Sequence, residues 1–214
     1  MIPQRLRRLP LGRGSVLYVL LAIIPPVGVY TGWYDLYHHL GLNPVAVWHG
    51  ELWRLLTYPF LPLGMIDFLV GAWSVLWLGT WLEREWSAAE CWLYGGIATT
   101  ASGIVACLLF PRLDGYLGGT VVVVTALLVM WVRLCGHQRI MPVPGYEATV
   151  RGYATAWGCL IVLIAWFSCG RWLVLPMIAA SAATGWAYLS LRWRWLERAA
   201  HRAIEIRRTR NLEL

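Results

Sequence analysis

Six stretches of this chain are apolar for long enough to cross a bilayer, and that restricts its fold more than any other feature. They lie near Ser15–Tyr34, Ile66–Leu82, Ala88–Phe110, Leu117–Leu134, Gly152–Ser168 and Trp172–Leu191. A helix needs roughly 17–25 residues to span a ~30 Å hydrocarbon core. Composition agrees: 59% of the 214 residues are hydrophobic and 14% are charged, with a mean hydropathy of +0.57, against the ~25% charged residues of a soluble domain. The expected class is all-α, a polytopic bundle of six transmembrane helices. Pro25 and Pro26 should kink the first helix, because proline removes a donor and clashes with the preceding turn. Asp67 should sit near an interface or face the bundle, since a charge at the bilayer centre costs at least ~2.5 kcal/mol.

Charge sets the orientation. All 18 basic residues are Arg, giving a net charge of +7. The N-terminal tail, the Arg133–Arg151 loop and the tail after Leu191 hold four, three and seven of them, whereas Asp35–Met65, Pro111–Tyr116 and Cys169–Arg171 hold one each. Arg-rich short loops stay cytoplasmic, which predicts a basic cytoplasmic tail over 1–14, a membrane domain over 15–191 and a second basic cytoplasmic tail over 192–214. The basic residues are a topology signal and imply no nucleic-acid partner. The first apolar run has no small-x-small cleavage site at its end, so a retained anchor is expected rather than a cleaved leader. The five Cys form no CxxC pair, and neither a metal site nor a cofactor is expected.

The segment Asp35–Met65 is too long and too aromatic for a plain connector. Its Trp48, Trp53, Tyr58 and Phe60 beside Leu40, Leu52 and Leu55 suit short helices lying in the interface plane. Within it runs Gly50-Glu51-Leu52-Trp53-Arg54-Leu55-Leu56-Thr57-Tyr58-Pro59-Phe60, and the next apolar run closes with Leu78-Gly79-Thr80-Trp81-Leu82-Glu83-Arg84. These two motifs resemble the rhomboid superfamily, whose first extramembrane loop carries Gly-Glu-x-Trp-Arg and whose second helix ends Leu-Gly-x-x-x-Glu-Arg. The resemblance implies a six-helix rhomboid-like bundle with an interfacial first loop. Trp53 should anchor that loop, while Arg54 forks hydrogen bonds to loop carbonyls or lipid phosphates.

Active rhomboids are intramembrane serine proteases, and the positions that should carry their chemistry are degenerate here. The nucleophile turn reads Gly118-Gly119-Thr120-Val121, with Thr120 in place of serine. The helix that should supply the base reads Ile178-Ala179-Ala180-Ser181-Ala182-Ala183-Thr184-Gly185, with Ile178 in place of histidine. Asp67 and Gly71 stand where the family keeps its oxyanion-stabilising His and Asn, and losing one such donor costs 10²–10³ in rate. A hydroxyl without an adjacent base is a weak nucleophile, and His38, His39, His49, His137 and His201 all lie outside helices four to six.

What remains is packing grammar. Ser181 and Gly185 form a small-xxx-small stripe, with Gly118 and Gly119 opposite it, allowing close backbone approach. The expected protein is therefore a catalytically inactive rhomboid-like pseudoprotease, derlin-like in lacking the dyad. It would bind transmembrane segments of client membrane proteins, or membrane lipids, and affect client stability or trafficking. Thr80, Thr99, Thr100, Ser102 and Thr155 are available as polar glue. The alternatives are a divergent intramembrane serine-type endopeptidase using Thr120 and, below it, a transporter, which would want intramembrane charges. Exclusive Arg usage suggests a GC-rich genome and, by default, a bacterial inner membrane. The basic helical spacing of Arg194, Arg198 and Arg202 fits either an amphipathic helix on anionic headgroups or a solvated stop-transfer cap.

Overall fold

The computed structural model describes residues 12–30, 35–62, 64–113, 115–135, 139–143, 146–152, 154–159 and 174–210. The described residues are helical apart from one small hairpin and the connecting turns. Helix α1 (Arg13–Tyr30) is followed by the short α2 (Asp35–Leu40), α3 (Pro44–Trp48) and α4 (Arg54–Thr57), and by a 3₁₀ turn at Tyr58–Phe60. Then come α5 (Met65–Glu85), α6 (Ala88–Leu109) and α7 (Thr120–Cys135). Strands β1 (Arg139–Val143) and β2 (Tyr146–Thr149) pair antiparallel, Arg139 opposite Thr149, ahead of helical residues 150–152 and 154–159. Helix α8 (Val174–Arg210) closes the described chain.

Among the described residues, Met65–Glu85, Ala88–Leu109 and Val174–Trp195 are long and apolar enough to cross a membrane, and Arg13–Gly28 and Thr120–Cys135 are shorter apolar helices. Most of the span expected at Gly152–Ser168 lies outside the described residues. At 1.5 Å per residue the 16-residue α7 is only ~24 Å long. It can be short because it is central: eleven of its residues are buried, including every position from Thr120 to Val124. Helices α6 and α8 pack against it, so lipid does not dictate its length.

Helix α1 runs through Pro25 and Pro26. The loop after Arg133 contains the hairpin. The last apolar helix continues past Leu191 to Arg210 as one 37-residue element, so the helical spacing of Arg194, Arg198 and Arg202 falls within it. Trp193 and Trp195 are exposed on that extension. Arg192 leaves the solvated face to pair with Glu90 at 2.9 Å, its guanidinium 3.7 Å from the Trp86 ring centre. One helix face away, Arg133 lies 4.1 Å over Trp186. These cation–π contacts fix α8 to the ends of α6 and α7.

The Gly79–Glu83 motif has a structural purpose. A helix starts with backbone N–H groups that lack intrahelical partners. At the start of α1 these groups find α5: Gly12 donates to Thr80 Oγ1 at 3.0 Å, and Gly14 and Ser15 donate to the Glu83 carboxylate at 3.1 and 2.6 Å. Ser15 Oγ adds a further bond to Glu83 at 2.5 Å. The carboxylate also opposes the positive end of the helix dipole. Ser15 can come this close because Gly79 has no side chain, and a Cβ there would collide with its hydroxyl oxygen. The chain between Val75 and Gly79 widens into one π-helical stretch, leading α5 onto this contact.

Glu83→Ala should leave several N–H groups of α1 unpaired and destabilise the protein by about 1–3 kcal/mol. Hydrogen exchange in residues 13–18 should accelerate more than exchange in α6. Unchanged protection of that first turn would show that Glu83 does not hold α1.

Candidate functional site

The interfacial loop is organised around one buried guanidinium. Arg54 is 5% exposed. Its Nη1 donates to the carbonyls of His38 (2.5 Å) and Gly41 (2.8 Å), while Nε reaches Glu51 Oε2 at 2.6 Å and Nη2 pairs with the same oxygen. Of the two partners the sequence offered, these contacts are to loop carbonyls. Thr57 Oγ1 donates to Leu40 O at 2.8 Å, and Trp53 Nε1 to His39 O at 3.3 Å. Carbonyls 38 to 41 are therefore all held by the motif. Gly50 turns the chain into it with φ +104°, a conformation that side chains disfavour. Trp53 itself is 52% exposed, with Trp48, Leu52 and Leu56 also facing outward.

Below the loop, Tyr58 is fully buried and docks it onto the bundle. Its hydroxyl donates to Thr99 O at 2.6 Å. A Cβ on Gly119 would collide with the Tyr58 ring, and one on Gly103 would press on Leu55 and Tyr58. Gly118 is buried beside Gly119, whose N–H donates to Leu61 O at 3.3 Å. Leu42 and Leu117 exchange backbone hydrogen bonds at 3.1 and 2.9 Å, tying the loop to the chain that leads into α7.

Of the positions that the rhomboid resemblance aligns with catalysis, Thr120 and Gly71 meet at the opening of α7. Thr120 is 2% exposed, and among the described residues its Oγ1 has no partner at hydrogen-bond geometry, although the Tyr18 hydroxyl is close by. Its methyl group fills the space over Gly71, where a Cβ would overlap it. Asp67 is one helical turn before Gly71 on the same face of α5 and is 3% exposed, so it faces the bundle. Burial and, secondarily, the nearby Asp67 carboxylate push the Tyr37 phenol above its ordinary range. Tyr18 donates to Pro59 O at 2.6 Å over the same region. On α8, Ile178 packs against the main apolar core, Ser181 Oγ donates to Val122 O at 2.9 Å, and Gly185 lies under the Tyr94 hydroxyl. Tyr94 in turn donates to Ala126 O at 2.8 Å.

The histidines of the loop are engaged elsewhere: His38 stands edge-on to Tyr116 at 4.5 Å, and the His49 ring lies 2.7 Å from Val45 O. His137 and the side chain of His201 lie outside the described residues. The expected polar glue also needs correction. Thr80 accepts from Gly12, Thr99 Oγ1 donates to Gly95 O and Ser102 Oγ to Ala98 O, all three buried. Thr155 Oγ1 is exposed but bonds back to Gly152 O at 2.8 Å. Hydroxyls in helices satisfy themselves on the preceding turn, and the sequence pattern cannot distinguish those from free ones. The sequence reading missed Glu83 as a helix cap and Tyr18, Tyr58 and Tyr94 as interhelical ties. The motif position of Glu83 and the glycines opposite the tyrosines were the available signals.

Residues 14–199 match the family model of a eukaryotic integral membrane protein family, DUF1751, and the chain belongs to that family. No curated protein matches the chain. The family description supports an integral membrane protein and overturns the bacterial inner-membrane assignment. Arg usage reports nucleotide composition, which GC-rich genomes of any lineage share, and carries no information about compartment.

Two substitutions test this geometry. Arg54→Lys keeps the charge but cannot fork to two carbonyls and a carboxylate. It should cost about 2–4 kcal/mol, with loss of exchange protection confined at first to residues 38–57. Thr120→Val should be neutral or stabilising by about 1 kcal/mol, because it keeps the methyl over Gly71 and removes an unpaired buried hydroxyl. A large loss of melting temperature in Thr120→Val would mean that the hydroxyl is used.

Proposed function

We propose that this member of an integral membrane protein family is a rhomboid-like pseudoprotease that binds transmembrane segments of client proteins and affects their stability or trafficking. The observation that carries the inactive reading is the state of Thr120. A nucleophile needs a base within hydrogen-bond reach. Among the described residues the buried Thr120 hydroxyl lies near the Tyr18 phenol but meets no carboxylate or imidazole acceptor at hydrogen-bond geometry, and the aligned base position is Ile178. The rhomboid assignment is supported by two motifs with structural roles, Gly50 to Thr57 in the loop and Gly79 to Glu83 at the start of α1.

Client binding is supported by α5. Ile66, Leu69, Trp73 and Trp77 are 64%, 58%, 63% and 38% exposed. They recur at the spacing that puts residues on one helix face, beginning beside the interfacial loop. Such a face can receive a client helix by packing alone, as membrane helices associate without a hydrophobic driving force between them. In this reading the membrane domain of 15–191 has six spans, and both tails lie on the cytosolic side.

A photoreactive amino acid at Trp73 should capture discrete membrane proteins in cells, and the same probe at Leu108, exposed on α6, should not. Equal, unselective capture at both sites would remove the docking face. Purified protein should neither react with fluorophosphonates nor cleave transmembrane substrates of active rhomboids, and labelling that vanishes in Thr120→Ala would establish catalysis instead. Reporters fused after Leu214 and inserted at Gly50 should give cytosolic and opposite-side signals, respectively. An opposite-side C-terminus would break the six-span reading.

A further inference from the structure

A cavity of about 330 Å³ lies between α1, the second half of α5, α6 and α7. It reaches from Leu56 and Phe60 under the loop to Gly14 and Glu83, and its walls are almost wholly apolar. Along α6 it runs from Cys91 to Thr99, a rise of about 12 Å. Allowing for the radius of a water-sized sphere at each wall, the mean width is about 9 Å, whereas a helix with its side chains is about 10–12 Å across. A client helix does not fit. An extended peptide would fit by width but would bring N–H and C=O groups that must be paired in an apolar slot. The hydroxyls on the walls are already committed: Ser15 to Glu83, Tyr18 to Pro59 O and Thr99 to Gly95 O. An apolar slot of this kind also does not hold water. The remaining occupant is a hydrocarbon chain, whose carbons pack at about 4 Å from their neighbours.

We infer that this slot seats one acyl chain of a glycerophospholipid as a built-in ligand. Its headgroup would emerge beside Leu56, at the level of the interfacial loop. The opposite end is closed to an anionic headgroup or a fatty-acid carboxylate by the Glu83 carboxylate. Gly95 and Gly96 form part of the wall, and a Cβ added at either meets nothing within 4 Å. Side chains added there enter the slot without disturbing the backbone. The inference rests on the membrane-embedded fold and is independent of client binding on α5.

The test is native mass spectrometry of the full chain through a detergent wash series. Wild type should retain one phospholipid after the others are stripped, and Gly95→Leu and Gly96→Leu should each lower that retained fraction at least fivefold. Both variants should keep the wild-type melting temperature within a few degrees. Ile104→Leu, on the lipid-facing side of α6, should retain the lipid as wild type does. Delipidated wild type given phospholipid brominated at mid-chain should regain a single brominated adduct, a readout that needs no variant. Equal retention in wild type and both glycine variants, no adduct on add-back, or retention of free fatty acid in its place would each overturn the assignment. Loss of the lipid with Trp73 capture intact would leave the client reading standing.

Discussion

A buried guanidinium must be fully partnered or it destabilises its surroundings by several kcal/mol, and the rest of the loop follows from how Arg54 meets that demand. Its donors are answered by two carbonyls and one carboxylate, and all three belong to the same loop. The chain from 38 to 41 is thereby fixed against α4, and Trp53 and Thr57 secure the two carbonyls that Arg54 does not reach. The pair itself contributes little net stability, since desolvation offsets most of its attraction. Its effect is to make one loop conformation much better satisfied than any other. With that conformation set, Trp48, Leu52, Trp53 and Leu56 all face outward together, and the apolar exposure becomes a surface that can sit in the interface.

The bundle beneath uses one device repeatedly. A tyrosine on one element donates to a backbone carbonyl of another, and a glycine clears the room for it where the fit is tightest. Tyr58 to Thr99 O beside Gly119 and Gly103, Tyr94 to Ala126 O beside Gly185, and Tyr18 to Pro59 O join the loop, α1, α6, α7 and α8. Phe60 extends the arrangement, its ring centre 5.1 Å from Tyr18 and 6.0 Å from Trp92. In a membrane, apolar contact between helices is barely favoured over contact with lipid, so directional bonds and close approach decide which helices meet. The same economy explains why the slot between α1 and α6 is left open: lipid can fill it at no cost to the fold.

Much of this was legible in the sequence. The apolar runs anticipated α5 and α6 to within a few residues, because their length is a requirement of the solvent. The motifs Gly50–Thr57 and Gly79–Glu83 stood out by resemblance, although only the structure gives their reasons: a positive φ, an ion pair, a helix cap. What could not be read was which hydroxyls are spent. Thr80, Thr99 and Ser102 look alike in sequence but are committed to a helix start or to preceding turns. The spacing of Arg194, Arg198 and Arg202 pointed to helix beyond Leu191, but not to one continuous with the apolar run, because polarity marks where a helix leaves lipid and says nothing about where it ends. The hairpin at 139–149 was obscured by Pro142 and Pro144, which argue against a central strand but not against an isolated two-stranded edge.

On the rhomboid-like reading proposed here, the positions aligned with catalysis are filled without a gap in the fold. Deleting a nucleophile or base from a packed interior would leave a void and a destabilised neighbour. Here the substituents compensate one another. Gly71 gives up an amide side chain, and the Thr120 methyl occupies the space above it; Ile178 contributes volume to the core where the aligned histidine would contribute a polar ring. The one buried side-chain polar atom without a well-formed hydrogen bond among the described residues is Thr120 Oγ1, near the Tyr18 hydroxyl, and a buried hydroxyl left unpaired costs about 1–3 kcal/mol. A protein under selection for hydrolysis would keep that oxygen within reach of a base. A protein under selection for packing alone would replace it with a methyl group. Thr120 has the shape of the second solution and the oxygen of the first, and Thr120→Val is the substitution that separates the two.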